Sequence, residues 1–228
     1  MTFEVFDFRN DLKNVFMSPE IRSRFVKMEP GEISVRHSHD LGHEIFLILQ
    51  GKAEFEIEDH KKVLEAGQLC VARIDEKHSI TCLGDEPMIM YLSVTPHVEP
   101  THTRWDEHGQ KLPPNYGPST REDRSKHDPA TGKSAMELAE ALNSSVRDLA
   151  VGIDETAKAL SESAPEAIRA VRGRNRESAK QSLDEMWAHV FGILRDVSKT
   201  ELAWNQFSAR IDELTCPHGS YHFLGDLK

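Results

Sequence analysis

Cysteine is scarce in this 228-residue chain, with three residues at positions 70, 82 and 216. Three thiols so widely spaced form no disulfide framework, and a reducing, cytoplasmic compartment is the expectation. Aromatic residues make up 7% of the chain and apolar residues 38%, a share low enough to expect that part of it lies outside a compact core. No apolar run approaches the roughly 18 residues of a membrane span. The opening Met1-Thr-Phe-Glu-Val has neither the basic flank nor the apolar stretch of a secretory signal. Positive charge is also in deficit. The formal net charge is −10, and acids outnumber bases in residues 1–100 and again in residues 133–228. A module that binds nucleic acid by neutralising phosphates is therefore excluded. The local cluster Arg169, Arg172, Arg174 and Arg176 is tempered by Glu166 and Glu177 and reads as a solvated helix face.

What is present divides by period. Through residue 95 the chain alternates in short runs: Phe3–Phe8, Ile21–Met28, Glu32–Arg36, Glu44–Leu49, Lys52–Glu58 and Met88–Val94. In Lys52-Ala-Glu-Phe-Glu-Ile-Glu58 the apolar Ala53, Phe55 and Ile57 share one face and charges take the other. Turn formers separate the runs, as at Glu29-Pro-Gly31, Gln50-Gly51 and Gly84-Asp85. Short strands at regular spacing predict a β sandwich or barrel over residues 1–100. Prolines at 96, 100, 113, 114, 118 and 129 make residues 101–133 an irregular connector. From Ser134 the period turns helical. Ala139, Leu142, Val146, Leu149, Ile153 and Leu160 form one stripe. Leu183, Trp187, Val190, Leu194 and Val197, continuing through Trp204, Phe207, Ile211 and Leu214, form a second. A break is expected at Ser163-Ala-Pro165, where serine can cap and proline can open a helix. The prediction for 134–214 is a helical hairpin, with an unassigned tail over 215–228. Apolar surface left over on the longer second helix predicts a homodimer.

The chemistry concentrates in Gly31-Glu-Ile-Ser-Val-Arg-His37-Ser-His39-Asp-Leu-Gly-His-Glu44, running on to Gly51. Two residues apart on a strand, His37 and His39 project from one face. Asp40-Leu-Gly42 can then turn the chain and bring Glu44 beside them. Two imidazoles and a carboxylate suit a divalent transition metal. The spacing G-x5-H-x-H-x4-E-x6-G resembles the first motif of the cupin superfamily at every fixed position. The second cupin motif is met in part: Gly67 and His78 stand at the right separation, while Arg73, Asp75 and Cys82 replace its proline, inner glycine and asparagine. The resemblance spans roughly residues 20–95. It implies a mainly β jelly-roll barrel, here followed by the α-helical C-terminal hairpin. It also implies one metal per chain held by His37, His39, Glu44 and His78. Iron, manganese, nickel, cobalt, copper and zinc all fit such a set.

Other residues have plainer readings. His43 alternates away from the ligands. Cys70 and Cys82 read as small core residues. His97, His102 and His108 fall in the connector, where a solvated loop is the default, and Trp105-Asp106 is a candidate lid over the barrel mouth. Cys216, His218 and His222 lack the second half of a metal motif. The cupin resemblance implies an enzyme of the dioxygenase or isomerase type acting on a small molecule at the metal. The alternative is a metal-loaded small-ligand binding or sensing module with a helical assembly domain. No catalytic acid or base is distinguishable from residue type alone.

Overall fold

The computed structural model describes residues 3–106, 108–116 and 132–215. Its strands are β1 Asn14–Ser18, β2 Ile21–Met28, β3 His37–Ser38, β4 His43–Gln50, β5 Lys52–Ile57, β6 His60–Glu65, β7 Leu69–Ala72, β8 His78–Leu83, β9 Met88–Thr95 and β10 Thr103–Arg104. They form two antiparallel five-stranded sheets, in the orders β1-β2-β9-β4-β7 and β10-β3-β8-β5-β6. The jelly-roll barrel is as expected, and two long helices follow it.

Alternation decides which side chains fill the barrel. On β4, Glu44, Phe46 and Ile48 are buried while Ile45, Leu47 and Leu49 are only partly so. Inward residues of both sheets meet in one core of Met28, Phe46, Ile48, Ala53, Phe55, Leu64, Ala72, Ile80, Cys82, Met88, Met90 and Leu92. Cys82 is inside this core and Cys70 packs against its rim, as small hydrophobes do. Gly51 makes the turn from β4 to β5 at φ +73°, and a Cβ there would stand 2.8 Å from the Pro87 carbonyl oxygen. Only glycine fits both constraints.

Two expected strands are absent. Phe3–Phe8 pairs with nothing; Phe3 and Val5 are exposed, and the segment ends in a turn where Asp7 accepts from the Arg9 backbone and side chain. Alternation supplies a face but not a neighbouring edge to bond. Over Glu32–Arg36 the pairing shrinks to a bridge between Ile33 and Thr81, and the ladder proper begins at His37.

The chain clusters into two compact units, residues 1–131 with 208–228, and residues 132–207. Helix α1, Ala135–Arg172, opens on a capping box: Ser134 accepts from the Glu137 backbone, and the Glu137 carboxylate accepts from the Ser134 backbone N–H. It runs through Pro165 without a break, contrary to expectation. The reversal comes at Gly173-Arg174-Asn175, where Gly173 N–H donates to Arg169 O, Arg174 takes φ +56°, and Asn175 caps helix α2, Arg176–Thr215, by accepting from Ser178 N–H. A single proline removes one hydrogen bond from a 38-residue ladder, and intact turns on both sides keep the helix going. The two helices are consequently matched in length, about 57 and 60 Å at 1.5 Å per residue. Within the helical unit, Thr156 Oγ1 donates to the His189 carbonyl, and Gly152 lies opposite Asp196. The covered faces differ from the predicted stripes. Leu138, Leu142, Leu149 and Thr156 are buried or partly so, whereas Val146, Ile153, Leu183, Trp187 and Leu194 stay exposed.

Candidate metal centre

Both sheets contribute to one end of the barrel. His37 and His78 are directly paired across β3 and β8, so their side chains share the inward face of one sheet. His39 follows β3, and Asp40-Leu-Gly42 carries the chain across to β4 of the other sheet, where Glu44 points in. His39, Glu44 and His78 are buried and His37 is partly so. His43, next in sequence to Glu44, is exposed and accepts from the Ile74 N–H, as alternation predicts. Asp75, standing where the second cupin motif has glycine, adopts φ +64°, a conformation aspartate tolerates better than most residues, and its N–H donates to the His39 carbonyl. The turn before His78 therefore keeps its shape.

The donor atoms of His37, His39, Glu44 and His78 all lie within 4.8 Å of one another, close enough for the four to hold one metal ion. Glu44 Oε2 stands 2.9 Å from His39 Nε2, 3.0 Å from His78 Nε2 and 3.9 Å from His37 Nε2. The other nitrogen of each ring decides what these approaches mean. His37 Nδ1 faces the Val35 carbonyl at 2.8 Å, His78 Nδ1 faces the Glu76 carbonyl at 2.9 Å, and His39 Nδ1 faces the Thr101 carbonyl. A carbonyl only accepts, so each Nδ1 carries the hydrogen and donates it. In a neutral ring the Nε2 is then a bare lone pair. Three Nε2 atoms converge on one Glu44 oxygen, those of His39 and His78 at hydrogen-bond distance, while His37 Nε2 is buried with no hydrogen-bond partner. A buried ring nitrogen without a partner is costly until a cation lies beside it. Burial also pushes the His37 imidazole below its ordinary value, favouring the neutral ring. Burial alone would raise the Glu44 carboxyl, but the three imidazoles outweigh it and hold the group well below the usual carboxylate range, hence anionic. The donor set fits a divalent transition metal.

The connector contradicts its solvated reading. Residues Thr103–Arg104 pair with Ser38 and His37 as a further strand, β10, at the edge of the sheet. That register places His102 opposite His39, and its ring centroid lies 4.6 Å from His37 and 5.0 Å from His39. His97 is buried as well. Trp105 is not a lid. It faces outward, its Nε1–H donating to Ser38 Oγ at 3.2 Å, with Lys77 Nζ 3.8 Å over its ring. His102, on the inward face, covers the site instead. The sequence also conceals Arg22, buried in β2 where Glu44 and Glu99 are the acids that act on it. The two-residue spacing of His102 and Arg104 repeats that of His37 and His39. In a proline-rich stretch that signal is too short to distinguish from loop. Cys216, His218 and His222 lie outside the described residues.

Residues 24–95 match the family model described as a cupin domain. This domain is a cupin. Solved structures similar to this chain include an uncharacterized conserved protein with a double-stranded β-helix domain from Klebsiella pneumoniae subsp. pneumoniae MGH 78578. That match has 20% identity, covers 42% of this chain and 91% of that one, and has a TM-score of 0.40. The cupin domain of Schizosaccharomyces pombe Cnp3 matches with 20% identity over 37% of this chain and 59% of that one, TM-score 0.36. KdgF from Halomonas sp. matches with 26% identity over 39% and 79%, TM-score 0.36. No curated protein matches the chain. Among the described residues, no helix is long and apolar enough to cross a membrane.

Proposed function

We propose that the cupin domain is a metal-dependent enzyme of the dioxygenase or isomerase type, acting on a small molecule at one ion held by His37, His39, Glu44 and His78. The observation that carries the reading is the convergence of three Nε2 atoms on Glu44 with the buried His37 Nε2 left unpartnered, an arrangement that a bound cation resolves. A transition metal there supplies Lewis acidity and, if redox-active, one-electron chemistry. The chain's residues do the rest. The three Nδ1–H donations to backbone carbonyls fix ring orientation and tautomer. Glu44 is the one anionic donor and partly neutralises the ion. His102 and the buried core below Phe46 and Phe55 keep bulk water away from the reacting side.

The second reading, a metal-loaded ligand-binding or sensing module, is favoured by residues 132–207 forming a compact unit of their own. In both readings the chain works as a homodimer, with the exposed apolar residues of α1 and α2 as the contact. Elemental analysis of protein purified without added metal tests the shared part. About one equivalent of metal per chain is expected, falling below roughly a tenth in His39→Ala, since the loss of one nitrogen donor unpairs the set. Full occupancy in that variant would place the metal elsewhere. Oxygen uptake and product analysis with small carbonyl and phenolic compounds separate the readings, because a sensor binds without turnover.

A further inference from the structure

A cavity of about 450 Å³, a size suited to a small molecule, opens beside the four-donor cluster. His39 and His102 form its inner wall, and the connector, including Arg104, Lys111 and Leu112, forms its outer one. Two cations line it, and they are not equivalent. Lys111 is spent on Asp40, its Nζ 2.8 Å from Oδ2, while Thr103 Oγ1 donates to Oδ1 of the same carboxylate. Arg104 has no acidic partner among the described residues. Its backbone is pinned opposite His37 in the β10–β3 pair, so its side chain leaves the sheet on the face that carries His37, His39 and His102. A partly buried guanidinium, with a rigid backbone, a cavity in front of it and no carboxylate, lacks the oxygen pair its fork is shaped to take.

The charge balance around the site points the same way. Glu44 and Glu99 act on Arg22, Asp40 and Asp75 act on Lys111, and Arg104 has no such acid. Adding the divalent cation of the proposed function leaves an excess of about one positive charge in a partly buried region, and an anionic ligand offsets it.

We propose that Arg104 anchors the anionic group, carboxylate or phosphate, of a small-molecule ligand occupying this cavity beside the metal cluster. The proposal rests on the metal-dependent reading for the ligand's chemical fate, but the anion anchor itself does not require turnover.

The test uses the full chain, with metal content measured first and binding then followed calorimetrically. The probes are succinate, inorganic phosphate and the neutral analogue succinamide. Succinate or phosphate is expected to bind, with the tighter of the two identifying the anion, and succinamide about tenfold or more weaker. Arg104→Gln should weaken the anion about tenfold or more, the scale of a lost charge-assisted hydrogen-bond pair. Arg104→Lys, which keeps charge and loses the fork, should fall between, at an unchanged melting temperature; if Arg104→Gln does not fold, this variant carries the test. Lys111→Gln, already committed to Asp40, should stay within about threefold of the parent. Failure of both anions to bind, equal affinity in parent and Arg104→Gln, or an equal loss in Lys111→Gln would overturn the proposal. Metal content reads the other hypothesis separately. A metal-free chain that still needs Arg104 for succinate keeps the anchor and removes the metal, and a metal-loaded chain indifferent to Arg104 does the reverse.

Discussion

His97 is buried, and burial, with the Arg22 charge acting in the same direction, pushes its imidazole from 6.5 to about 3. The folded chain therefore holds a neutral ring through a range in which the unfolded chain takes up a proton. Stability contributed by neutral His97 is complete above pH 6.5 and is lost progressively as pH falls toward 3. His37 and His102, both held below their ordinary value chiefly by burial, act in the same direction. Glu44, held low, adds to the loss only below its ordinary 4.5. The unfolding free energy of metal-free protein should fall as pH drops from 6 to 4. In His97→Gln that slope should be shallower by up to about 1.4 kcal/mol per pH unit, as one fewer proton is linked to unfolding. Urea titrations at several pH values measure it, and an unchanged slope would show that His97 ionises freely in the folded state. Aspartate at position 75 is the other informative residue, since it reproduces a glycine's left-handed turn and so preserves the approach to His78 despite the altered motif.

At the scale of elements, two substitutions separate turn strain from helix continuity. Gly51→Ala adds a Cβ within 2.8 Å of the Pro87 carbonyl oxygen at φ +73°, and should destabilise the barrel by about 1–3 kcal/mol in chemical denaturation. Pro165→Ala works in the opposite direction. It restores a missing N–H inside α1 and should raise helical stability by as much as about 3 kcal/mol, seen as a higher midpoint of the 222 nm transition. No gain would mean that the helix has already adapted around the proline. The strand β10 belongs to the same scale. Its two residues are few, yet they convert a proline-rich connector into the wall that holds His102 and Arg104 beside His37 and His39.

At the scale of the molecule, the exposed apolar residues concern assembly. Leu183, Trp187 and Leu194 follow one another at helical spacing along α2, and the Trp187 ring lies tilted against Phe191, centroids 5.8 Å apart; all four are exposed. On α1, Val146 and Ile153 are exposed one heptad apart. Contiguous apolar surface of this kind on a single chain favours association with another copy. Sedimentation equilibrium should give twice the 25.8 kDa chain mass at micromolar concentration, shifting to the monomer in Trp187→Glu with helical content retained. A parent chain sedimenting as a monomer would refute the dimer.

The sequence alone determined the barrel and its candidate ligands. Strand alternation and the Gly31-to-Gly51 spacing are local features, and a two-residue period aims His37 and His39 together whatever surrounds them. It likewise determined that helices follow Ser134, because capping and helical periodicity act within one element. It misread Phe3–Phe8, Pro165 and the connector for a common reason. A strand needs a bonded neighbour, a helix break needs the ladder on both sides to fail, and a loop stays solvated only if nothing packs on it; none of these is a property of a short segment. Only the tertiary structure decided that residues 103–104 return to pair with Ser38 and His37. It alone oriented three Nδ1–H groups onto carbonyls from Val35, Glu76 and the distant Thr101, which aims three Nε2 atoms at Glu44.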